Sequence, residues 1–356
     1  MNDLFNHIRY LKRQQIDPQQ WDACIDQSPN GMIYASSSYL DEMALHWDAL
    51  VLGNYEAVMP LTWNRKWGIR YLYQPPLSPQ LGVFSRQRIT EEIVGAFLKK
   101  ARSHFKFAEI YLNFTNEYPG LQPFTNIVLN LNAPYEQLRA NYKKDLEKNI
   151  RRAAGFSLQY SPSSDVGSAI DLYKQYYAAR TPHVREADYR RFTQFCNNAL
   201  KTDSVIIRRV EGPGERQATA EAQNDQPSTA AALKDQRFTA EAQNDQPPVA
   251  VALLLKRRDR LYLLMSVCSP DGRKMEANHF LLDNLIREFA ATNTILDFDG
   301  SEIPGIAHFY RNFGGFDQPF FFYRYNRLPW PLRLLKPAGS QHSLDIQSPN
   351  DHPAAD

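Results

Sequence analysis

Short apolar runs bounded by turn residues alternate along this chain with segments whose apolar positions recur every three to four residues, which predicts strands and helices interleaved from end to end. In the first third the pattern predicts a helix from Pro18 to Cys24, a strand at Met32 to Ala35 and a helix from Ser37 to His46. A hairpin of Asp48 to Val51 with Tyr55 to Trp63 follows, turning through Gly53-Asn54. An aromatic strand (Arg70 to Gln74), a proline-rich loop (Pro75 to Pro79), an amphipathic helix (Thr90 to Phe105) and strands at Glu109 to Phe114 and Asn126 to Leu131 complete an α/β layer domain over residues 1–134. Residues 135–155 read as one connecting helix, because Leu138, Tyr142, Leu146 and Ile150 fall at i, i+4 spacing before Gly155.

A second α/β domain is expected over residues 156–330. Helices at Asp165 to Ala179 and Tyr189 to Leu200 lead into strands Ser204 to Val210, Val249 to Lys256 and Leu261 to Val267. A helix from Met275 to Thr292, a strand from Thr294 to Phe298, a short helix ending at Gly314 and a strand from Phe320 to Tyr325 complete it. Inside this domain TAEAQNDQP at Thr219 to Pro227 recurs word for word at Thr239 to Pro247. Segment 211–247 has few apolar groups to bury and so predicts a disordered insertion within a hairpin; the tail 331–356 is similarly polar.

Composition narrows the function. With 22% charged residues and a formal net charge of +2, the chain is no general polyanion binder, so any basic surface must be local. Cys24, Cys196 and Cys268 lie far apart and match no metal spacing, and the eight histidines form no paired motif, so no metal is expected. The cysteine usage suggests a reducing compartment. With no signal-peptide core and no apolar run of about 18 residues, a cytoplasmic protein without membrane insertion is expected. No P-loop or dinucleotide fingerprint occurs.

The densest chemistry lies at Asp297-Phe298-Asp299-Gly300-Ser301 and the helix after it, Pro304 to Phe313, closed by Gly314-Gly315. A strand end here would deliver Asp297, Asp299 and Ser301 to a surface crevice, with the two aspartates on one face and Asp297 as proton acceptor. The alternative reading has the aspartates hold backbone N–H groups of the turn. The helix Tyr135 to Gly155 carries Lys144, Lys148 and Arg151, readable as a solvated face or as contacts for an anionic substrate.

Ala307, Tyr310 and Gly314 resemble the last block of acyltransferases of the Gcn5-related N-acetyltransferase (GNAT) superfamily. The full order, with Lys148-Asn149-Ile150-Arg151-Arg152-Ala153 between the halves and Gly305 to Gly314 at the end, is similar to the FemABX double-GNAT proteins over roughly residues 30 to 326. The resemblance implies an α/β fold of two GNAT-like domains with mixed sheets. It also implies transfer of an acyl or aminoacyl group, from acetyl-CoA, another acyl-CoA or aminoacyl-tRNA, to an amine acceptor, as in cell-wall or envelope metabolism. By that resemblance Tyr310 is a general acid, against a core aromatic in the plainer reading, and Arg273 to Asn278 fall where the donor binds; the planar fork of Arg311, beside Tyr310, suits a phosphate or carboxylate or else a surface salt bridge. The diphosphate loop of GNAT enzymes is Q/R-x-x-G-x-G/A, whereas Arg273-Lys274-Met275-Glu276-Ala277-Asn278 keeps Arg273 but replaces both glycines. Glu276 would repel a diphosphate and bulkier residues limit backbone approach, which favours the FemABX-like donor. A scaffold without catalysis that binds an anionic metabolite or a protein is the alternative.

If segment 211–247 adds no core, deleting 212–246 and joining the strands by a short turn should shift the melting temperature by less than about 5 °C. A larger fall in a calorimetric scan would show that the insertion packs on the fold.

Overall fold

The computed structural model describes residues 2–213, 247–299 and 304–335. The TAEAQNDQP repeat up to Gln246, Ser301 and the tail beyond residue 335 lie outside them. Among the described residues two mixed sheets and eleven helices make an α/β protein. The first seven strands build the first sheet: β1 (Ile8–Lys12), β2 (Trp47–Leu52), β3 (Ala57–Lys66), β4 (Ile69–Tyr73), β5 (Phe84–Ser85), β6 (Phe107–Leu112) and β7 (Gln122–Phe124). The next seven build the second: β8 (Ile127–Asn130), β9 (Gln159–Ser163), β10 (Val205–Glu211), β11 (Ala250–Arg257), β12 (Arg260–Cys268), β13 (Ile295–Asp297) and β14 (Phe316–Asp317). The last strand, β15 (Phe320–Asn326), returns to the first sheet and inserts between β6 and β7.

Both sheets repeat one order. In the first, β1-β2-β3-β4 run antiparallel, β6 joins β4 in parallel, and β15-β7 close the edge. In the second, β9-β10-β11-β12 run antiparallel, β13 joins β12 in parallel, and β8-β14 close the edge. The closing pairs form one antiparallel ribbon through both sheets: Val128 pairs with Phe316 and Ile127 with Asp317 in the second sheet, Phe124 with Phe320 in the first. The sheets therefore do not part at residue 134, since β8 already belongs to the second and β15 to the first.

Helices cover the sheets. α1 (Asn2–His7), α2 (Pro18–Gln27), α3 (Ser37–Met43) and α4 (Glu91–His104) belong to the first half. α5 (Tyr135–Arg139), α6 (Lys144–Ala153), α7 (Val166–Tyr177), α8 (Glu186–Leu200), α9 (Pro270–Lys274), α10 (Ala277–Phe289) and α11 (Pro304–Arg311) follow. Asp17, Ser36, Thr90 and Asp165 cap their helices through side-chain oxygens, as those residue types do. One apolar cluster packs α4 on the first sheet, a second packs α6, α10 and α11 on the second, and a third joins the halves through α2, α3, α7 and α8. Strand β11 feeds two of them by its pleat: Val251, Leu253 and Leu255 enter the shared core, Ala250, Ala252 and Leu254 the outer one.

Two expectations need correction. Met32 to Ala35 is no strand: Ile33–Ala35 forms a short 3-10 turn whose side chains are all buried in the shared core. A four-residue apolar run fits either state, and packing decides it. The helix expected over 135–155 is two helices. Its apolar positions are all buried, but the chain breaks so that the Lys143 N–H donates to the Asn312 carbonyl at 3.0 Å and Asn141 packs against Gly314. The Arg139–Glu147 pair, at 2.8 Å, spans the break. Strands β1, β7, β9 and β14 carry no clear apolar alternation, and their pairing depends on distant partners.

The two crossings of the ribbon meet at one buried ion pair. Arg260 donates to the Asp297 carboxylate at 2.9 and 2.7 Å and also to the Gln318 side chain, while Asn126 donates to Asp297 at 2.8 Å. The Gln318 N–H donates to the Asn126 carbonyl at 2.9 Å, so both crossing segments are tied to one carboxylate. Asp297 is 1% exposed and Arg260 7%. Arg260→Met would leave that carboxylate buried without its cation, at an expected cost of about 3–5 kcal/mol. The double change Arg260→Met with Asp297→Leu should recover part of the loss. Urea unfolding of the three proteins checks this, and a single variant as stable as the parent would refute it.

Candidate functional site

The site is built where the second sheet forks. Strand β12 pairs with β13 only from Arg260 to Tyr262, which faces Asp297; beyond that point β12 continues to Cys268 while the other chain leaves through Phe298 and Asp299. A bulge sharpens the fork. Leu253 faces Met265 and Leu254 faces Leu263, so Leu264 has no opposite number. The extra residue reverses the pleat: before it Leu261 and Leu263 enter the outer core, after it Met265 and Val267 enter the shared core. The first sheet has the equivalent fork between β4 and β6, but there Leu81 bridges Leu112 and the Leu81 N–H donates to the Tyr111 carbonyl at 2.9 Å. The loop after β4 thus closes that fork with its own chain.

Tyr310 of α11 stands at the second fork. Its ring stacks on Phe298 with centroids 4.3 Å apart, and burial pushes its phenol above the ordinary value, a shift to which Tyr177, Tyr173 and Asp299 add. It therefore keeps its proton at neutral pH. Asp299 has φ +25° and accepts a hydrogen bond from the Tyr34 hydroxyl, contributed by the first half. Burial, followed by the Asp297 carboxylate, raises the Asp299 carboxyl well above the usual range, against opposing effects of Tyr34 and Arg260. Tyr34 packs edge-on to Tyr39 and Tyr262, which fixes that contact.

The expected residues separate. Asp297 does not reach a surface crevice: its oxygens are taken by Arg260, Asn126 and the Asp299 N–H, so it supports the fork instead of accepting a proton. Nor do the two aspartates share a strand face, because β13 ends at Asp297. Arg273 donates to the Cys268 carbonyl at 3.5 Å and lies close enough to Tyr177 to oppose in part the rise that burial gives that phenol. Lys274 is exposed and paired with Asp271 at 2.9 Å, and Arg311 is paired with Asp317 at 2.8 Å. Ala277 is fully buried, and Asn278 Oδ1 accepts from the Ser266 hydroxyl at 3.1 Å. Lys144, Lys148 and Arg151 are exposed on α6, with Arg151 donating to the Glu147 carbonyl. Burial pushes the Cys268 thiol up to about 11, which leaves it protonated and a poor nucleophile.

The loop that holds a diphosphate in GNAT enzymes is built differently here. Residues 270–274 coil into α9, so the N–H groups of Gly272, Arg273, Met275 and Glu276 donate to Ser269 Oγ and to the carbonyls of Ser269, Asp271 or Gly272, and Arg273. Glu276 adopts φ +56°, a left-handed value that favours glycine, and its carboxylate pairs with Arg152 at 2.9 Å and with His279 Nδ1 at 3.0 Å. Burial and Arg152 lower His279 to about 4, so the imidazole is neutral. A carboxylate occupies the position of the first glycine of that anion cradle, where its charge opposes a diphosphate. Sequence reasoning anticipated Glu276 but missed Tyr34, Arg260, Arg152 and His279. A cation opening an otherwise apolar strand was the one available signal, for Arg260.

Holding Asp299 protonated has a consequence for stability. Below the ordinary carboxyl value, about 4, folded and unfolded chains both carry the proton; above it only the folded chain keeps it, so this group's contribution falls as pH rises. Asp299→Asn retains an acceptor for Tyr34. It is expected to match the parent near pH 4 and to exceed it at about pH 8 in urea midpoints; identical pH slopes would overturn this.

Among solved structures the chain resembles FemX, with TM-score 0.60 and 13% identity over 92% of this chain and 99% of that one. It also resembles a conserved protein of unknown function from Bacteroides thetaiotaomicron VPI-5482, with TM-score 0.53 and 10% identity over 87% and 97%. A tandem GNAT protein from the clavulanic acid biosynthesis pathway aligns at TM-score 0.45 and 13% identity over 90% and 99%. No protein-family model matches, and no curated protein matches. The fold is thus that of FemX.

Proposed function

We propose that the chain is an acyl or aminoacyl transferase acting at the fork of β12 and β13, and that its donor is an aminoacyl-tRNA rather than an acyl-CoA. The fork carries this reading: a bulged strand released from its parallel partner, with a phenol and a protonated carboxyl converging on it. An activated carbonyl placed there would meet backbone N–H groups of β12 beyond Tyr262, which suit a developing oxyanion. The amine forms the new C–N bond as the donor's ester C–O bond breaks. Tyr310 gives its proton to the departing oxygen, and the proton lost by the amine passes to the Tyr310 phenolate so formed. Arg273 supplies a cation beside the fork for a phosphate of the donor.

Glu276 is what turns the reading from acyl-CoA, since its carboxylate opposes a diphosphate at the start of α10. Lys144, Lys148 and Arg151, exposed on the adjoining α6, offer further phosphate contacts suited to a polyanionic donor. The similarity to FemX supports the fold such an activity uses, and the acceptor is an amine of a class still to be identified.

Purified protein assayed against a panel of amino-sugar and peptide amines should transfer from aminoacyl-tRNA and not from acyl-CoA. Tyr310→Phe, which keeps the ring on Phe298, should lower turnover by roughly 10²–10⁴ with little change in KM. Transfer from acyl-CoA alone would overturn the donor, unchanged turnover in the variant would remove the acid role, and no transfer from either donor would return the chain to a binding scaffold.

A further inference from the structure

The far end of the first sheet carries a surface that the transfer site does not use. Three pieces of chain end there together. The β3–β4 turn places Trp67 and Gly68 at the tip, β6 begins with Phe107 beside β4, and β15 ends with Asn326 opposite Phe107. The Arg327 N–H donates to the Lys106 carbonyl at 2.7 Å, which holds the segment after β15 on this edge. Between the pieces lies a groove of about 260 Å³, lined by Ile69, Leu72, Phe107, Leu328 and Leu332 with Trp67 and Lys66 at its rim.

Two indoles stand beside this groove in solvent, Trp67 at 66% and Trp330 at 79% exposure, the most exposed large apolar side chains among the described residues. Around them Arg65, Lys66, Lys106, Arg327 and Arg333 are all exposed, and Lys66 lies over the Trp67 ring at 4.9 Å. The carboxylate in the groove, Glu109, is paired with Arg324 at 3.1 Å. The patch is therefore both cationic and apolar, with its acid already neutralised. Exposed indoles cost solubility unless something uses them.

We propose that this face docks the protein peripherally on an anionic lipid surface, the indoles at headgroup level, an acyl chain or its end in the groove, and the five cations on lipid phosphates. Charge complementarity selects an anionic partner, and exposed indoles flanked by cations beside a groove lined by aliphatic side chains and by the rings of Tyr71, Tyr73 and Phe107 match the boundary between lipid headgroups and acyl chains. A tryptophan flanked by basic side chains is the composition that sits at a membrane–water boundary, polar edge outward and ring body in the acyl region. No described helix is long and apolar enough to cross a membrane, so the contact would be a surface one. The inference rests on this face alone and stands whether or not the fork transfers acyl groups.

Vesicle flotation with the full chain tests it, comparing phosphatidylglycerol–phosphatidylcholine vesicles with phosphatidylcholine alone. Binding is expected only to the anionic vesicles, with a blue shift of tryptophan emission and quenching by brominated acyl chains. It should weaken roughly tenfold or more in Trp67→Ser/Trp330→Ser and fall with added salt in the parent. Both side chains are exposed, so an unchanged circular-dichroism melt should accompany the loss. Absence of anionic-vesicle binding, or binding indifferent to the double change, would overturn the proposal. So would a concentration-dependent dimer in sedimentation velocity, or affinity for a transfer RNA or single-stranded RNA, that vanishes in the variant while vesicle binding persists.

Discussion

A single buried ion pair holds the places where the chain passes between its two sheets. Each sheet borrows its closing strands from a ribbon that runs through both, so residues 125–126 and 318–319 must leave one hydrogen-bond ladder and enter another within two residues. Backbone groups lose regular partners at such a crossing. Here Asn126 and Gln318 bond each other through their backbones and reach Asp297 and Arg260 through their side chains. Two charges in a site this dry are tolerable only because each is met by the other and by further donors or acceptors. The same carboxylate also receives the Asp299 N–H, which fixes the start of the turn where the fork opens. Fold and site therefore share one constraint.

That constraint also explains why two residues of one chemical type differ. Asp297 has a guanidinium and two further donors, whereas Asp299 has a phenol and a neighbouring negative charge. Burial and the Asp297 charge push the second toward its acid form. A pair of carboxyls separated in this way can divide structural and proton-transfer work.

The duplicated sheet order makes the asymmetry of the two forks informative. In the first sheet the loop after β4 folds back and Leu81 fills the gap, under a set of buried asparagines (Asn30, Asn113 and Asn116) that bond the carbonyl of Val83. In the second the bulge at Leu264 and the stacked Tyr310 face a gap that β12 leaves. At the neighbouring helix start, a carboxylate bound to Arg152 stands where bare amides would otherwise hold an anion. An architecture built twice has thus been closed at one site, altered at the helix start of the other, and given a cationic aromatic edge away from both.

The sequence by itself determined most helices, the long strands and the α/β class, because amphipathic spacing, capping residues and turn dipeptides are local signals. It also marked Tyr310 and the altered loop at Glu276 through their positions in a recognisable block. Tertiary structure decided the rest. Ile33–Ala35 is a 3-10 turn and the 135–155 helix is broken because packing on the shared core and against Asn312 outweighs local preference. Strands β7, β9 and β14 exist only through partners far along the chain. Asp297 looked like a base from its place after a strand; the deciding fact, an arginine 37 residues earlier in sequence brought within 2.7 Å of its carboxylate, is one that no local pattern carries.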